Sequence, residues 1–355
     1  MKIPEFQIGS TSLGIEYPPF VIAELSANHN GDIELVKKLM ETATDCGADA
    51  IKIQTYSADT MTIKSKKTDF LIKKGLWKGR TLHDLYSEAY TPFEWHKDLF
   101  EYAKKIGITI FSSPFDESAV DLLESLNTPA YKVSSFELVD LPLIKCIAKK
   151  KKPMIISTGM ASLSEIEDAI ETAKINGCNE IAIMHCISSY PAKPNELNLK
   201  SIKILEKTFD ILVGFSDHTL GNKSCMTAVA LGAALVEKHF TLSRSDGGVD
   251  SEFSAEPSEM KNLVKDCNDI YISLGEEVFK RSINEKSNLV FRRSLYFVEN
   301  LKKGDFIKKN HIRRIRPGFG LSPKYFNKII GAKLKKNVEK GDRVSLENVC
   351  FDENN

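Results

Sequence analysis

The sequence lacks any long apolar segment and any excess of one charge. No apolar run approaches the roughly 20 residues that a helix needs to cross a bilayer. Residues 1–6 contain neither the charged region nor the apolar region of a signal peptide. Lys and Arg number 49 against 48 Asp and Glu, whereas nucleic-acid-binding proteins usually carry a basic surplus. We therefore expect a cytoplasmic protein that binds neither a membrane nor nucleic acid.

Paired cysteine motifs are also missing. The seven cysteines are scattered along the chain, and none stands in a Cys-x-x-Cys pair. Zinc ribbons and redox sites need such spacings, and a disulfide framework usually needs an even number of cysteines. We expect reduced thiols, most of them buried.

The first 280 residues alternate between short apolar runs rich in β-branched residues and helix-like segments. Runs that are apolar on both faces and separated by helices indicate a parallel sheet. Eight of them predict a closed (β/α)8 TIM barrel over residues 1–284. A doubly wound open sheet is the alternative, but no Gly-x-Gly-x-x-Gly turn follows the first run. The predicted strands are 20–24, 50–54, 108–112, 130–134, 154–157, 181–185, 211–214 and 234–237.

Two further segments depart from this alternation. A long insertion, 57–90, follows the second predicted strand, and we expect it to cover the mouth of the barrel; a surface excursion is the alternative. From about residue 285, the similar contexts of Lys303-Gly304-Asp305 and Lys340-Gly341-Asp342 predict turns between short strands. Residues 285–355 thus form a predicted second domain. Its small size makes docking on the barrel or on another subunit an expectation.

Two histidines end neighbouring predicted strands. In a TIM barrel the carboxyl ends of the strands carry the active site. His218 ends the seventh strand and His239 the eighth, with Asp217 and Glu237 beside them. Two imidazoles at this level could hold a divalent metal and leave positions open for substrate. The alternative is a pair of hydrogen-bonded histidines at the rim.

Two lysines lie inside apolar strand sequences. Lys52 and Lys132 would be costly to bury unless an anion or a carboxylate neutralises them. Serines end several strands near them, so the pattern predicts a cradle for phosphate and carboxylate groups. Structural ion pairs with Glu24 or Glu137 are the alternative. We also predict that His29 is a polar site residue and that His185 is simply buried. The serines are Ser113, Ser135, Ser157 and Ser216.

Together these residues resemble the sialic acid (nonulosonic acid) synthase family over almost the whole chain. Three segments are similar to the branch of the family that makes pseudaminic acid, and one near the C-terminus resembles an antifreeze-like (SAF) domain. The first three are Glu24-Leu25-Ser26-Ala27-Asn28-His29-Asn30-Gly31, Gly75-Leu76-Trp77-Lys78-Gly79-Arg80-Thr81 and Phe240-Thr241-Leu242-Ser243-Arg244-Ser245-Asp246-Gly247-Gly248; the fourth is Arg316-Pro317-Gly318-Phe319-Gly320.

The resemblance implies a reaction. Family members condense phosphoenolpyruvate with an open-chain acetamido sugar, here 2,4-diacetamido-2,4,6-trideoxy-altrose, to give pseudaminic acid and phosphate. Ser188 stands where neuraminate synthases carry Asn, and Leu25-Ser26 replaces their Ile-Gly. Both departures argue against N-acetylmannosamine as the substrate. Legionaminate and N-acetylneuraminate synthases are the alternatives within the family, and a non-catalytic carbohydrate-binding protein is the alternative outside it.

The resemblance also implies residue roles. Mn2+ or Mg2+ on His218 and His239 would polarise the sugar aldehyde, and Glu24 would be a catalytic carboxylate. Arg316 would reach the sugar across a domain-swapped homodimer. An apolar wall for the sugar methyl group would come from Phe136, Phe215, Phe253 or Trp77. The implied phosphoenolpyruvate-binding residues are Lys52, Ser113, Lys132, Ser135, Ser157, Ser188 and Ser216, and the implied sugar-binding residues are Gln54, Tyr190, Glu237, Asp250 and Arg316.

Overall fold

The protein folds as two compact units that divide between Gly275 and Glu276. The computed structural model describes residues 5–276 and 278–350. Within that part of the chain, no helix is both long and apolar enough to cross a membrane. All seven cysteines are unpaired, and five of them are buried, as the sequence predicts.

The first unit is a closed barrel of eight parallel strands, which confirms the predicted fold. Each strand pairs with the next along the chain, and the last pairs with the first, so that His239 lies opposite Glu24. The sheet therefore has no edge, and all eight carboxyl ends meet on one face. In chain order the strands are β3 (Phe20–Glu24), β4 (Ala50–Thr55), β5 (Thr109–Pro114), β6 (Tyr131–Val133), β7 (Met154–Ser157), β8 (Ile181–Cys186), β9 (Leu212–Asp217) and β10 (Leu235–His239).

Helices separate the strands, and local signals in the sequence determine where they begin and end. Ser162 caps α7 (Leu163–Ile175) in a reciprocal arrangement with Glu165. Gly107 ends α4 (Phe93–Ile106) with φ 78°, a conformation that glycine adopts without steric cost. The helices of this unit are α1 (Ile33–Asp45), α2 (Ala58–Met61), α3 (Leu82–Ala89), α4 (Phe93–Ile106), α5 (Glu117–Ser125), α6 (Leu141–Ala148), α7 (Leu163–Ile175), α8 (Ser201–Phe209), α9 (Lys223–Ala230) and α10 (Pro257–Leu274).

Two apolar layers hold the barrel together. The larger lies between the strands and the helices, and the smaller fills the barrel interior. An N-terminal hairpin of β1 (Phe6–Ile8) and β2 (Thr11–Leu13) packs Phe6, Ile8 and Leu13 into the interior layer. This hairpin was not predicted. Its two strands have three residues each, too short for alternation to identify them.

The insertion at 57–90 has structure of its own. It contains α2, a 3-10 helix at Thr68–Phe70 and α3. Ser57 caps α2 and Thr81 caps α3 through their side chains. The sequence predicted only a covering loop here, whereas the structure shows that part of the insertion is helical.

The second unit is small and contains the predicted Lys-Gly-Asp repeat. Its strands β11 (Ser294–Phe297) and β12 (Ile312–Ile315) pair antiparallel, and its helices are α11 (Ile283–Ser287) and α12 (Phe326–Ile329). The two turns make equivalent hydrogen bonds. Asp305 accepts from the Lys302 amide and Asp342 from the Glu339 amide, each at 2.8 Å. Leu301 and Val338 pair directly, so the two halves of the repeat are joined at their centre.

Candidate active site

The carboxyl ends of the barrel strands open into a cavity of ≈ 470 Å³. The 57–90 insertion forms part of its wall with Trp77, Leu85 and Tyr86, so the predicted cover is confirmed. Trp77 Nε1 donates to the backbone oxygen of Val249 at 3.2 Å, which fastens the insertion to the loop after β10. The cavity is therefore bounded by strand ends below and by the insertion above.

One wall of the cavity is suited to an anion. Lys132 Nζ donates to Ser157 Oγ at 2.6 Å and to the oxygen of Val133 at 3.1 Å. Among the described residues, no carboxylate forms an ion pair with Lys132, although its side chain is buried. Burial, reinforced by the charge of Lys52, lowers the pKa of Lys132. A buried ammonium group bonded only to neutral oxygens leaves room for a bound anion. Ser135, Ser188 and Ser216 also line the cavity.

The second lysine has carboxylate partners. Lys52 Nζ lies 2.8 Å from Glu24 Oε2 and 3.5 Å from Glu237 Oε2. The alternative prediction, a structural ion pair with Glu24 or Glu137, is therefore confirmed for Lys52 and wrong for Lys132. Lys52 still lines the cavity, so the pair also belongs to the site.

The two carboxylates around Lys52 have opposite pKa shifts. Burial raises the pKa of Glu24 to about 7, against the opposing effect of Lys52. Burial also raises the pKa of Glu237, but Lys52, Lys132 and a hydrogen bond from Ser216 outweigh it, and the net pKa lies below the usual value. Glu237 is therefore ionised near neutral pH, while Glu24 exchanges its proton there. Two neighbouring carboxyl groups whose pKa values are shifted in opposite directions are typical of acid–base sites.

The two histidines meet at the floor of the cavity. Their ring centroids lie 5.4 Å apart. His218 Nδ1 lies 2.9 Å from the backbone oxygen of Ile187, and because a carbonyl only accepts, Nδ1 carries the hydrogen and Nε2 keeps its lone pair. Among the residues that the structure describes, His239 Nδ1 has no hydrogen-bond partner; it lies 3.6 Å from Asp250 Oδ2. Burial lowers the pKa of both rings, so both are neutral.

Neutral, buried imidazoles with free lone pairs fit a divalent metal. Within the described chain, however, no group of three or more His, Cys, Asp or Glu side chains could hold one. Two protein nitrogens leave most of a coordination shell to other ligands, as in catalytic rather than structural sites. The residues present thus fit a metal that is held partly by substrate or water.

The wall beside His239 carries neutral hydrogen-bonding groups. Gln54 Nε2 donates to Glu24 Oε1 at 3.2 Å and to Ser26 Oγ at 3.0 Å. Ser26 Oγ in turn donates to Asp250 Oδ2. The Tyr190 ring lies 4.4 Å from that of His218 and 5.8 Å from that of Trp77. Gln54, Tyr190, Glu237 and Asp250 all line the cavity, so the predicted sugar-contacting residues of the barrel lie together.

Several predicted positions lie outside the cavity lining. Glu24 and Ser113 are fully buried; Lys52, which lines the cavity, contacts both of them, and Gln54 of the lining also contacts Glu24. His29 is buried against Trp95 and does not line the cavity, so its prediction as a site residue was wrong. His185 is buried, as predicted, with Nε2 bonded to the oxygen of Leu197.

Asp217 was wrongly associated with the histidines. Its carboxylate pairs with Lys238 Nζ at 2.7 Å and accepts from Cys225 Sγ on α9. Side chains alternate along a strand, so Ser216 faces the interior and Asp217 faces the helix layer. Phe215 likewise packs between the strands and the helices and cannot form the apolar wall, whereas Phe136 and Trp77 line the cavity. Arg316 lies in the second unit and is exposed.

Six polar residues of the lining were not predicted from the sequence, and two of them are Ser26 and Ser134 at strand ends. Tyr56, Lys74 and Tyr86 belong to or adjoin the 57–90 insertion, which has no periodic pattern that could identify them. Glu137 stands in a strand-end segment but was considered only as a counter-ion. Burial raises its pKa to about 7, which makes it a second titrating carboxyl group in the cavity.

Comparison with known families assigns both units. Residues 39–279 match the NeuB family, and residues 292–349 match the SAF domain. The chain belongs to the NeuB family. The NeuB match contains both lysines and both histidines of the cavity, and Arg316 falls within the SAF match; the cavity serines inside the NeuB match are Ser134, Ser135, Ser157, Ser188 and Ser216.

Named relatives of this NeuB-family chain include pseudaminic acid synthases from two species. That of Helicobacter pylori is 41% identical over 94% of this chain and 98% of its own length. That of Campylobacter jejuni (strain 81-176) is 43% identical over 91% of this chain and 94% of its own length. Among solved structures, the N-acetylneuraminic acid synthetase of Leptospira borgpetersenii in complex with citrate superposes with a TM-score of 0.73. It is 30% identical and covers 81% of this chain and 95% of its own.

Proposed function

We propose that this NeuB-family protein is a pseudaminic acid synthase, a transferase that joins phosphoenolpyruvate to 2,4-diacetamido-2,4,6-trideoxy-altrose. The observation that carries the proposal is one cavity with two chemically different walls. Lys132 and the serines form an anion-binding wall, and His218, His239 and Asp250 form a polar wall that would face the sugar aldehyde. The identity to two pseudaminic acid synthases over more than nine-tenths of the chain supports this choice of sugar.

The anion-binding wall would hold phosphoenolpyruvate. Lys132 forms no ion pair with a carboxylate in the described part of the chain, and Ser157 and Ser135 present hydroxyl groups beside it. The Gly159 amide already donates to Ser135 Oγ at 3.1 Å, so this serine is held in place for a ligand. A Cβ atom at Gly159 would come within 2.3 Å of Ser188 Oγ, so only glycine leaves the space between these groups free for a ligand. We propose that Ser113 acts behind this wall by orienting Lys52.

The histidine wall would hold the sugar. A divalent metal, Mn2+ or Mg2+, bound by His218 and His239 would act as a Lewis acid on the sugar aldehyde. Gln54, Tyr190 and Asp250 would position the sugar hydroxyl and acetamido groups. Burial keeps both imidazoles neutral, which a metal ligand requires.

The bonds in the proposed reaction balance. The methylene carbon of phosphoenolpyruvate bonds to the aldehyde carbon, water adds at C2, and phosphate leaves by cleavage of the C–O bond. Near neutral pH, Glu24 can accept a proton from water or give one to the aldehyde oxygen. Glu237 remains ionised beside Lys52 and would stabilise the positive charge that develops at C2.

Phosphate release tests the proposal. The purified protein is mixed with phosphoenolpyruvate, Mn2+ and one of three sugars, namely the diacetamido altrose, the legionaminate precursor and N-acetylmannosamine. We expect the altrose to give the highest kcat/KM. Preference for either other sugar would reassign the enzyme within the family. No phosphate release with any of them would favour a non-catalytic carbohydrate-binding protein. Because phosphoenolpyruvate is a cytoplasmic metabolite, the proposal includes a cytoplasmic location.

A homodimer is part of the proposal, and its support is the uneven distribution of charge. Residues 276–355 contain 19 Lys and Arg against 10 Asp and Glu, a net charge of +9, so the rest of the chain carries −8. The second unit also exposes large apolar side chains, including Phe279, Phe291 and Phe319. Opposite charges and exposed aromatic rings favour association of the second unit with another copy. Light scattering should give twice the chain mass, and the dimer should weaken as salt increases.

Complementation tests whether Arg316 acts in the partner subunit's cavity. Glu24→Gln and Arg316→Ala variants are each expected to be inactive. If Arg316 serves the other subunit's barrel, half of the dimers in a reassembled mixture carry one intact site, which restores about a quarter of the wild-type rate. If Arg316 acts on its own barrel, every site keeps one defect and the mixture stays inactive.

A further inference from the structure

Ser26 occupies a backbone conformation that favours glycine. It begins the turn after β3 with φ 42°, and its side chain is buried. In this left-handed region the Cβ atom of an ordinary residue crowds the backbone, and glycine alone escapes the cost. Strained residues of this kind cluster at binding and active sites, where the surrounding structure holds them in place.

The hydroxyl group of Ser26 uses both its hydrogen-bonding capacities. It donates to Asp250 Oδ2 at 2.5 Å and accepts from Gln54 Nε2 at 3.0 Å. A carboxylate only accepts and an amide nitrogen only donates, so a hydroxyl is suited to lie between them. Neither glycine nor alanine could make either bond.

Asp250 depends on this turn for its orientation. Its carboxylate is buried, and besides Ser26 the Ala27 amide also donates to it. Its Oδ2 lies 3.6 Å from His239 Nδ1 at the cavity floor. The loop that carries Asp250 packs closely on the same turn, because a Cβ atom at Gly248 would come within 2.8 Å of Asn28 Oδ1. The position of Asp250 is therefore set by the 26–28 turn.

We propose that Ser26 is a positioning residue that determines how the acetamido sugar binds. Its strained backbone places one hydroxyl where it orients both the Asp250 carboxylate and the Gln54 amide toward the cavity. The identity of the ligand rests on the function proposed above; the strain and the coupling between Ser26 and Asp250 do not.

Two variants separate the effect of the hydroxyl group from the effect of the backbone strain. Ser26→Ala removes the hydroxyl and keeps the strain, whereas Ser26→Gly removes both. Both variants should raise KM for the sugar roughly tenfold or more, while KM for phosphoenolpyruvate should stay close to that of the wild type. Ser26→Gly should nevertheless melt about 2 °C higher than Ser26→Ala. A residue with only a structural role would not change one KM and leave the other.

Lys151 provides the matched control. It has φ 56°, is exposed and precedes β7, at the end of the barrel away from the cavity. Lys151→Gly should melt higher than Lys151→Ala by a similar margin, and both should keep wild-type values of KM. An increase in sugar KM in the Lys151 variants would show that relief of strain alone disturbs the site, which would overturn the proposal.

A double-variant cycle with Asp250→Asn tests the coupling directly. If Ser26 acts through Asp250, the loss in melting temperature on combining Ser26→Ala with Asp250→Asn should be smaller than the sum of the single losses. Additive losses, or an unchanged sugar KM in Ser26→Gly, would overturn the proposal. If the wild-type protein releases no phosphate with any sugar, the proposed function fails, and the melting cycle still decides whether Ser26 holds Asp250.

Discussion

Lys52 Nζ lies 2.8 Å from Glu24 Oε2 on the neighbouring strand, and both side chains are buried inside the barrel. The pair shares its ammonium group with Glu237, 3.5 Å away on β10. One positive charge cannot fully neutralise two buried carboxylates, so one of them keeps a proton more readily. That is Glu24, whose pKa is raised to about 7. The arrangement makes a proton available at the cavity floor without disturbing the ionised Glu237.

Replacement of Glu24 tests this arrangement. Glu24→Gln keeps the side-chain size but cannot exchange a proton, so we expect kcat to fall by about 10²- to 10⁴-fold. Phosphate release measures the change, and circular dichroism checks that the fold is retained. Glu167→Gln, on the exposed face of α7, is the matched control and should keep the wild-type rate. A fall of less than threefold in Glu24→Gln would remove Glu24 from the chemistry.

Glu137 should make stability depend on pH. Its pKa rises from 4.5 to about 7 on folding, because burial penalises the charged form. The folded state thus binds the proton more tightly, and this contribution is present below pH 4.5 and lost as the pH rises through 7. The loss amounts to about 3 kcal/mol. In Glu137→Gln the free energy of unfolding should therefore decline less between pH 5 and pH 8, as measured by urea denaturation. An unchanged pH profile would contradict the shift.

The Asp217–Lys238 pair should stabilise the fold without acting in the reaction. Asp217→Asn leaves the Lys238 charge buried without a partner, so the free energy of unfolding should fall by about 3–5 kcal/mol. The double variant Asp217→Leu/Lys238→Met removes both charges and should recover most of that loss. Denaturant titration measures the stability, and turnover per folded molecule should change little. A large loss of turnover in the folded double variant would show that the pair also influences the site.

Metal binding should depend on the two histidines. His239→Ala removes one of the two protein nitrogens, so Mn2+ affinity should fall by at least about tenfold. Titration calorimetry measures this without requiring turnover. His83→Ala is the control, since His83 lies in α3 and pairs with Asp59 on the surface. Wild-type Mn2+ affinity in His239→Ala, or full activity after exhaustive chelation, would refute the metal assignment.

Trp77 should contribute to sugar binding through the insertion. Its indole packs against Tyr190 and bonds to Val249 on the loop after β10. Trp77→Ala should therefore raise KM for the sugar roughly tenfold and change KM for phosphoenolpyruvate much less. Leu76→Ala alters the neighbouring exposed side chain and should leave both values unchanged. Equal increases in both KM values would indicate a general closing role for the insertion.

Much of the barrel could be predicted because its signals are local. Each strand is a short apolar run, and residues such as Ser162 and Gly107 mark where a helix begins or ends. Given a barrel, the carboxyl end of each strand is known, so Lys52, Lys132, His218 and His239 could be assigned to one site from the sequence. The N-terminal hairpin was missed because two three-residue strands have no local signal, and their burial depends on the barrel end that they cover.

The sequence by itself determined the eight strand–helix repeats and the residue types at the strand ends. Only the tertiary structure decided which way each side chain points, because a strand that is apolar on both faces does not reveal which face is interior. Closure of the barrel turned Ser216 and His218 inward and Asp217 outward. It also placed Glu24 in an ion pair with Lys52, whereas Lys132 has no such pair among the described residues. The strained turn at Ser26 likewise gains a role only in the folded protein, where Asp250, which is distant in sequence, accepts a hydrogen bond from Ser26.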